Sequence, residues 1–189
     1  MVTVKILIEH YSAQDDFAHK LAKRLKSIKG TDVRTYLELN IENPKIENKE
    51  IAESFKDYDI IIPIVADDYP NNFDIGEGFE EFSELEDKFL LPIIYNETQW
   101  SSVNWIVKSK VFPEDGSPFE ELNEKSKANT LGKLINTIED IIFQKNAKQQ
   151  NIIETVVEKK NVVFISHSHD DADFAELLKL QLEKNGIYG

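Results

Sequence analysis

The sequence predicts an α/β protein with a flavodoxin-like fold, a doubly wound parallel sheet of five strands with helices on both faces. The main observation is that apolar runs typical of fully buried strands, such as Asp59–Val65 and Phe89–Tyr95, alternate with segments of helical periodicity. Such alternation requires right-handed crossovers, which place helices on both sides of one sheet. Ligands bind these sheets at the carboxyl ends of the strands, so the loops to search follow Ile8, Leu37, Val65 and Tyr95.

A second observation is that one strand–helix unit occurs twice. The segment Ile8–Leu25 returns near the end of the chain as Ile165–Leu182. This internal repeat indicates a duplicated βα unit. The residues common to both copies are Ile8 and Ile165, His10 and His167, Asp16 and Asp173, Phe17 and Phe174, Ala18 and Ala175, Leu21 and Leu178, and Leu25 and Leu182.

The first copy predicts a strand, a short polar loop and a helix. The strand covers Val2–Ile8, and Ser12 is a candidate helix cap. Asp15 and Asp16 stand where the positive end of a helix favours acids, and Gly30 is a helix stop. The apolar residues at helical spacing are Phe17, Leu21, Leu25 and Ile28.

The next stretch predicts two more strands. Asp32–Leu37 is a short strand, Asn40–Asn48 a loop, and Lys49–Lys56 a short helix. Asp59–Val65 is the strongest strand of the chain because nearly every residue is apolar. Ala66–Gly76 has the composition of a loop.

The remaining elements complete the predicted sheet. Glu77–Lys88 is an acidic helix, and Phe89–Tyr95 is a buried strand. A short strand over Lys110–Phe112 precedes the turn Pro113–Pro118, and Ala128–Phe143 is a helix with a broad apolar stripe.

These elements divide the chain into three parts. Residues 1–143 form the first domain, 144–160 a linker that is an extended helix or a helical segment packed on the first domain, and 161–189 the truncated start of a second domain. A lone strand and helix cannot bury a core of their own, so the last part is a fragment or pairs with another surface.

Composition limits the classes of function. A hydrophobic content of 41% indicates a globular chain, and no run of residues is long and apolar enough to span a membrane. The net charge of −13 disfavours nucleic-acid binding, and the absence of Cys excludes disulfides and thiolate chemistry. We therefore expect a soluble, cytoplasmic protein. A basic cluster is interpreted as a solvated helix face; its members are Lys20, Lys23, Arg24, Lys26 and Lys29.

Three segments point to one family. The second copy, FISHSHDDADFAELLKLQLEKNGI (Phe164–Ile187), resembles the opening of a Toll/interleukin receptor (TIR) domain. PIIYNETQW (Pro92–Trp100) and VFPEDGSPFEEL (Val111–Leu122) resemble consecutive segments of bacterial TIR domains. The resemblance implies one degenerate full domain followed by the start of a second. It also implies cleavage of NAD+ between nicotinamide and ribose, in bacterial defence or stress signalling, and self-association through TIR domains.

The resemblance also implies site residues. The family carries a catalytic Glu at the start of the helix after the third strand, which favours Glu77, with Glu80 and Glu81 as alternatives. A carboxylate there would stabilise the cationic ribosyl centre as nicotinamide leaves. Tyr11 and Ser12 would line the rim of the pocket. The structural interpretation is that the three Glu residues belong to an exposed acidic helix face. In that interpretation Tyr11 is a turn residue and Ser12 a helix cap.

Two other hypotheses remain open. Glu9 replaces the family's Ser, and Asn40–Asn48 lacks the family's Gly and Trp, which favours a module for protein–protein assembly that has lost catalysis. The string His167, His169, Asp171 resembles the start of a zinc site, but Ala172 stands where that motif has another His. The prediction is therefore no metal and no bound cofactor, with NAD+ as a possible substrate.

Overall fold

A computed structural model of the 189-residue chain describes residues 2–36, 38, 53–66, 73–158 and 172–184. The chain divides into two compact units, Met1–Ile142 and Phe143–Gly189. The interpretation of the second unit as the start of another domain stays a prediction.

The first unit contains the parallel sheet of five strands that the sequence predicts. All strand pairs are parallel, and the order is β2-β1-β3-β4, with β5 also paired to β3. Together with the helices, this sheet confirms the α/β, flavodoxin-like fold class. The strands are β1 (Val4–Glu9), β2 (Thr31–Thr35), β3 (Ile60–Val65), β4 (Phe89–Leu90) and β5 (Ile93–Ile94).

The predicted strand Phe89–Tyr95 occurs as two short pieces in one register. Ile60 lies opposite Phe89 and Ile64 opposite Ile93, so β4 and β5 follow the same line along β3. Pro92 lies between the pieces and has no N–H to donate, which interrupts the strand.

The predicted strand Lys110–Phe112 is reduced to a single parallel bridge between Ile93 and Phe112. The Phe112 N–H donates to the Pro92 carbonyl at 2.8 Å. The Ile94 N–H donates to the Phe112 carbonyl at the same distance of 2.8 Å. Beside β5, the position of the predicted strand is therefore occupied by the single bridging residue Phe112.

The helices differ from prediction mainly at their ends. The predicted helix Glu77–Lys88 begins four residues earlier, at Phe73, and ends at Ser83. The predicted linker is helical, because the helix expected over Ala128–Phe143 continues to Glu158. No helix in the described ranges is long and apolar enough to cross a membrane. The helices are α1 (Asp15–Leu25), α2 (Phe73–Ser83), α3 (Asn104–Val107), α4 (Glu124–Glu158) and α5 (Ala172–Lys184).

The sheet buries a core on each face because successive side chains of a strand point to opposite sides. Ile6 and Ile8 of β1 join the α1-side core, which also contains residues of α1 and α4. Leu7 of β1 joins the α2-side core, which contains Phe79 and Phe82 of α2. Fully burying one such side chain stabilises the fold by about 1.5–3 kcal/mol.

Both ends of α1 differ from the prediction. Ser12 is not the cap of α1; it starts a 3-10 turn, Ser12–Gln14, and Gln14 takes the cap position without a side-chain hydrogen bond. Gly30 is not the helix stop, because α1 ends at Leu25 with Lys26 as its C-cap. Gly30 instead lies in the turn before β2 with φ 90°, a conformation that glycine adopts without the strain other residues suffer.

Several predicted features lie outside the described residues. They are the Asn40–Asn48 loop, residues 49–52 of the Lys49–Lys56 helix, residues 67–72 of the Ala66–Gly76 loop, the strand of the second copy, and His167, His169 and Asp171.

Candidate functional site

Two buried polar residues end the first strand. Glu9 is the last residue of β1 and is 2% exposed, and His10 follows it at 1% exposed. Because side chains alternate along a strand, Glu9 lies on the same face as Leu7, the face covered by α2. An acid and an imidazole are therefore buried at the carboxyl edge of the sheet, where doubly wound folds bind ligands.

The Glu9 carboxyl is uncharged at neutral pH. Burial penalises the ionised form and raises the pKa of Glu9 from 4.5 to about 8. Below that pH, Glu9 carries a proton that it can donate in a hydrogen bond.

His10 is also held uncharged. Burial lowers the pKa of His10, against the hydrogen bond to the Tyr11 carbonyl and the charge of Asp15, which raise it. The ring Nδ1 lies 3.1 Å from the Tyr11 carbonyl oxygen and 3.1 Å from Asp15 Oδ1. Both neighbours are acceptors, so the proton belongs on Nδ1 and Nε2 is left as an acceptor.

The loop between β1 and α1 contains buried polar atoms without hydrogen bonds to the described part of the chain. They are His10 Nε2, Gln14 Oε1 and Asp15 Oδ1. The Asp15 oxygen lies within ion-pair distance of His10 but without hydrogen-bond geometry. Asp15 therefore acts on His10 through its charge. Buried acceptors without a donor are rare in proteins, and each requires a partner such as water, another part of the chain or a ligand.

The predicted rim residues lie beside this loop. Tyr11 is half-buried and packs against the α2-side core. Ser12 is exposed in the 3-10 turn. Both residues therefore follow the carboxyl end of β1 directly, in the segment that also carries the buried acceptors.

The predicted catalytic acids lie on α2. Glu77, Glu80 and Glu81 are all exposed, on the side of the helix opposite its buried stripe of Ile75, Phe79 and Phe82. Glu77 is in the second turn of α2 and is the closest of the three to the start of the helix. β1 and β3 are neighbours, with Glu9 opposite Pro63, so α2 follows the strand adjacent to the buried acceptors. Within the described residues, no hydrogen bond or ion pair joins the side chains of the three acids to the β1–α1 loop.

Sequence reasoning missed Glu9, His10 and Gln14 as members of a site. It noted Glu9 only as a replacement for Ser, although an acid directly after the apolar residues Ile6–Ile8 is an unusual pattern that could have revealed it. Gln14 carried no such pattern, because its burial depends on the packing of the loop.

Within the described residues, no group of three or more His, Asp or Glu side chains could hold a metal ion. Compared with protein-family models and with curated proteins, the sequence gives no match.

Proposed function

We propose that this chain is a TIR-type protein that cleaves NAD+ at the bond between nicotinamide and ribose, in bacterial defence or stress signalling. The observation that carries the proposal is the pair of buried acceptors, His10 Nε2 and Gln14 Oε1, at the carboxyl edge of the sheet. Ribose hydroxyls and a carboxamide N–H group are donors that satisfy such acceptors. The TIR resemblance supplies the reaction.

The reaction requires a charged carboxylate near the ribose. When the carbon–nitrogen bond breaks, nicotinamide leaves with the bonding electrons and water adds to the ribosyl carbon, releasing a proton. Glu9 is uncharged at pH 7 and cannot supply that charge. The TIR resemblance assigns the catalytic Glu to α2. Glu77 is the first choice because it is nearest the start of that helix, and Glu80 and Glu81 are the alternatives.

The direct test is nicotinamide release from NAD+ by the purified chain. Glu77→Gln should lower kcat by about 100-fold or more, because removing a group that stabilises developing charge costs that much. Glu84→Gln is the matched control, since Glu84 is an exposed acid just beyond the end of α2. Release that survives Glu77→Gln, Glu80→Gln and Glu81→Gln together would contradict catalysis by this unit.

A second variant tests the buried acceptors separately from the chemistry. Gln14→Leu keeps the approximate volume of the side chain and removes an acceptor that has no donor in the described structure. We expect the free energy of unfolding to stay level or rise, while KM for NAD+ rises by about tenfold. A lower stability with unchanged KM would instead mean that Gln14 serves only the fold.

The second candidate function is protein–protein assembly without catalysis, and α5 favours it. This helix exposes Phe174 (69%), Leu177 (67%) and Leu180 (53%). Exposed apolar groups at this density mark interaction surfaces, and a second copy of the chain is the proposed partner.

Light scattering over a concentration series tests assembly. The wild-type chain should associate, whereas the double variant Phe174→Ser, Leu177→Ser should stay monomeric, because it removes apolar area that association would bury. Lys179→Ser on the same helix is the control, since Lys179 is charged and exposed. A wild-type chain that is monomeric at all concentrations while cleaving NAD+ would eliminate this candidate.

A further inference from the structure

A groove on the α1 side of the sheet is separate from the strand-edge site. It has a volume of about 550 Å³ and lies between α1 and the start of α4. Phe17, Tyr95 and Leu131, which line it, pack against the α1-side core, whereas Glu9 lies on the α2 side. Its volume is within the range of small-molecule pockets, roughly 300–1,000 Å³.

The floor of the groove is aromatic. The ring centroid of Phe17 lies 5.1 Å from that of Tyr95 and 5.0 Å from that of Phe119. Phe17 and Tyr95 are only half-buried, so part of each ring faces the groove. Partly exposed aromatic rings of this kind form a surface on which a planar ligand stacks.

The walls of the groove are charged, and along α1 the acid and the cations stand at different turns. The Glu120 N–H donates to the Tyr95 carbonyl at 2.8 Å, so Glu120 lies near the carboxyl edge of the sheet, as does Asp16 in the first turn of α1. Lys20 and Arg24 follow Asp16 at one and two helical turns, further from that edge. Asp16 and Glu120 thus lie nearer the carboxyl edge than Lys20 and Arg24 do.

The cations differ in whether they have a partner. Lys127 pairs with Glu124 at 3.6 Å. The ammonium of Lys20 and the guanidinium of Arg24 form no ion pair with any residue that the structure describes. Two unpaired cations beside an aromatic floor suit an anion attached to a planar ring.

We infer that this groove binds a planar aromatic anion the size of a mononucleotide. The ligand ring stacks on one of Phe17 and Tyr95 and contacts the other, which is tilted by 46°, at an angle. The anionic group binds Lys20 and Arg24. Hydroxyl groups between ring and anion donate to carboxylates nearer the carboxyl edge, such as Asp16. The sequence alone had assigned Lys20 and Arg24 to a solvated helix face, and the groove gives these two members of the basic cluster a different role from Lys23 and Lys29.

Calorimetric titration of the full chain with AMP tests the inference, with adenosine and inorganic phosphate as separate arms. We expect saturable AMP binding that exceeds binding of either fragment, because ring and anion contact the groove together. The double variant Lys20→Ala, Arg24→Ala should weaken AMP binding by about tenfold or more. Ala128→Trp should block it independently of charge, since the exposed Ala128 lines the groove.

One control separates this groove from general electrostatic binding. The pair Lys23→Ala, Lys29→Ala removes the same charge from residues that do not line the groove, and it should leave AMP binding unchanged. No saturable binding at millimolar AMP, or equal loss in both charge variants, would overturn the inference. AMP binding that survives Ala128→Trp would place the ligand outside the groove and would likewise overturn it.

Discussion

Helices α1 and α5 carry the same residues at the same spacing but bury them differently. Leu21 of α1 is 2% exposed, whereas its counterpart Leu178 in α5 is 39% exposed. Phe17 is half-buried, and its counterpart Phe174 is 69% exposed. The helix pattern is therefore the same in both copies, and the extent of burial is set by the surface that each helix meets.

The surface that α1 meets is the parallel sheet. Leu21 and Leu25 of α1 belong to the same core as strand residues of the sheet. These strand residues are Ile6 and Ile8 of β1 and Val33 of β2. Most helical stability in proteins comes from packing an apolar face in this way rather than from helix propensity. The comparison teaches that an amphipathic repeat predicts a helix in both copies but a core in only one.

The largest expected effect tests this comparison directly. Leu21→Ala together with Leu25→Ala should destabilise the first unit by about 4–10 kcal/mol, since each buried Leu→Ala change costs about 2–5 kcal/mol. That loss approaches the whole stability of a domain, about 5–15 kcal/mol. The matched pair Leu178→Ala, Leu182→Ala should cost far less. Urea denaturation followed by circular dichroism measures both, and equal losses would show that α5 is packed as tightly as α1.

The next effect comes from a position where the two copies differ, Glu9 and Ser166. The pKa of Glu9 is raised from 4.5 to about 8, so the folded state keeps a proton that the unfolded chain releases in that window. The stability that Glu9 contributes is complete below pH 4.5 and is lost as pH rises towards 8. Glu9→Gln should therefore be more stable than the wild type above pH 8, by at most about 5 kcal/mol.

The control for this prediction is Glu53→Gln, an exposed acid whose replacement should leave the pH dependence unchanged. Urea denaturation across a pH series measures both variants. A Glu9→Gln advantage that is the same at pH 4 and pH 9 would show that the effect comes from packing and not from ionisation.

The smallest effect concerns a residue that both copies share, His10 and His167. Burial lowers the pKa of His10, so the folded state resists a proton that the unfolded chain binds below about pH 6.5. Stability is present above that pH and is lost as pH falls through the folded-state pKa. His10→Gln should flatten the acid side of the stability profile. Urea denaturation across an acidic pH series measures the change, and an unaltered acid side in His10→Gln would contradict the assignment to burial.

Much of the fold could be predicted from the sequence because its central strands are largely apolar. Asp59–Val65 contains β3, and Val2–Ile8 contains most of β1, although the exposed Lys5 interrupts the apolar run there. The ends of the helices were less predictable. The α2 helix starts at Phe73 rather than Glu77, inside a stretch whose composition favours a loop.

The candidate site was less predictable than the fold. The TIR resemblance predicts Tyr11 and Ser12 as rim residues, and both follow the end of β1. The polar residues buried there are Glu9, His10 and Gln14. Sequence gives the type of a side chain, whereas burial and the absence of a donor depend on what packs around it.

The sequence by itself determined that strands and helices alternate, that the segment Ile8–Leu25 recurs, and which faces of the helices are apolar. Periodicity is a local property, so it is written in consecutive residues. The tertiary structure decided that Glu9 is uncharged and that Lys20 and Arg24 border an aromatic groove. It also decided that one copy of the repeated helix is covered and the other exposed. These properties depend on desolvation and on neighbours distant in sequence, which no local pattern specifies.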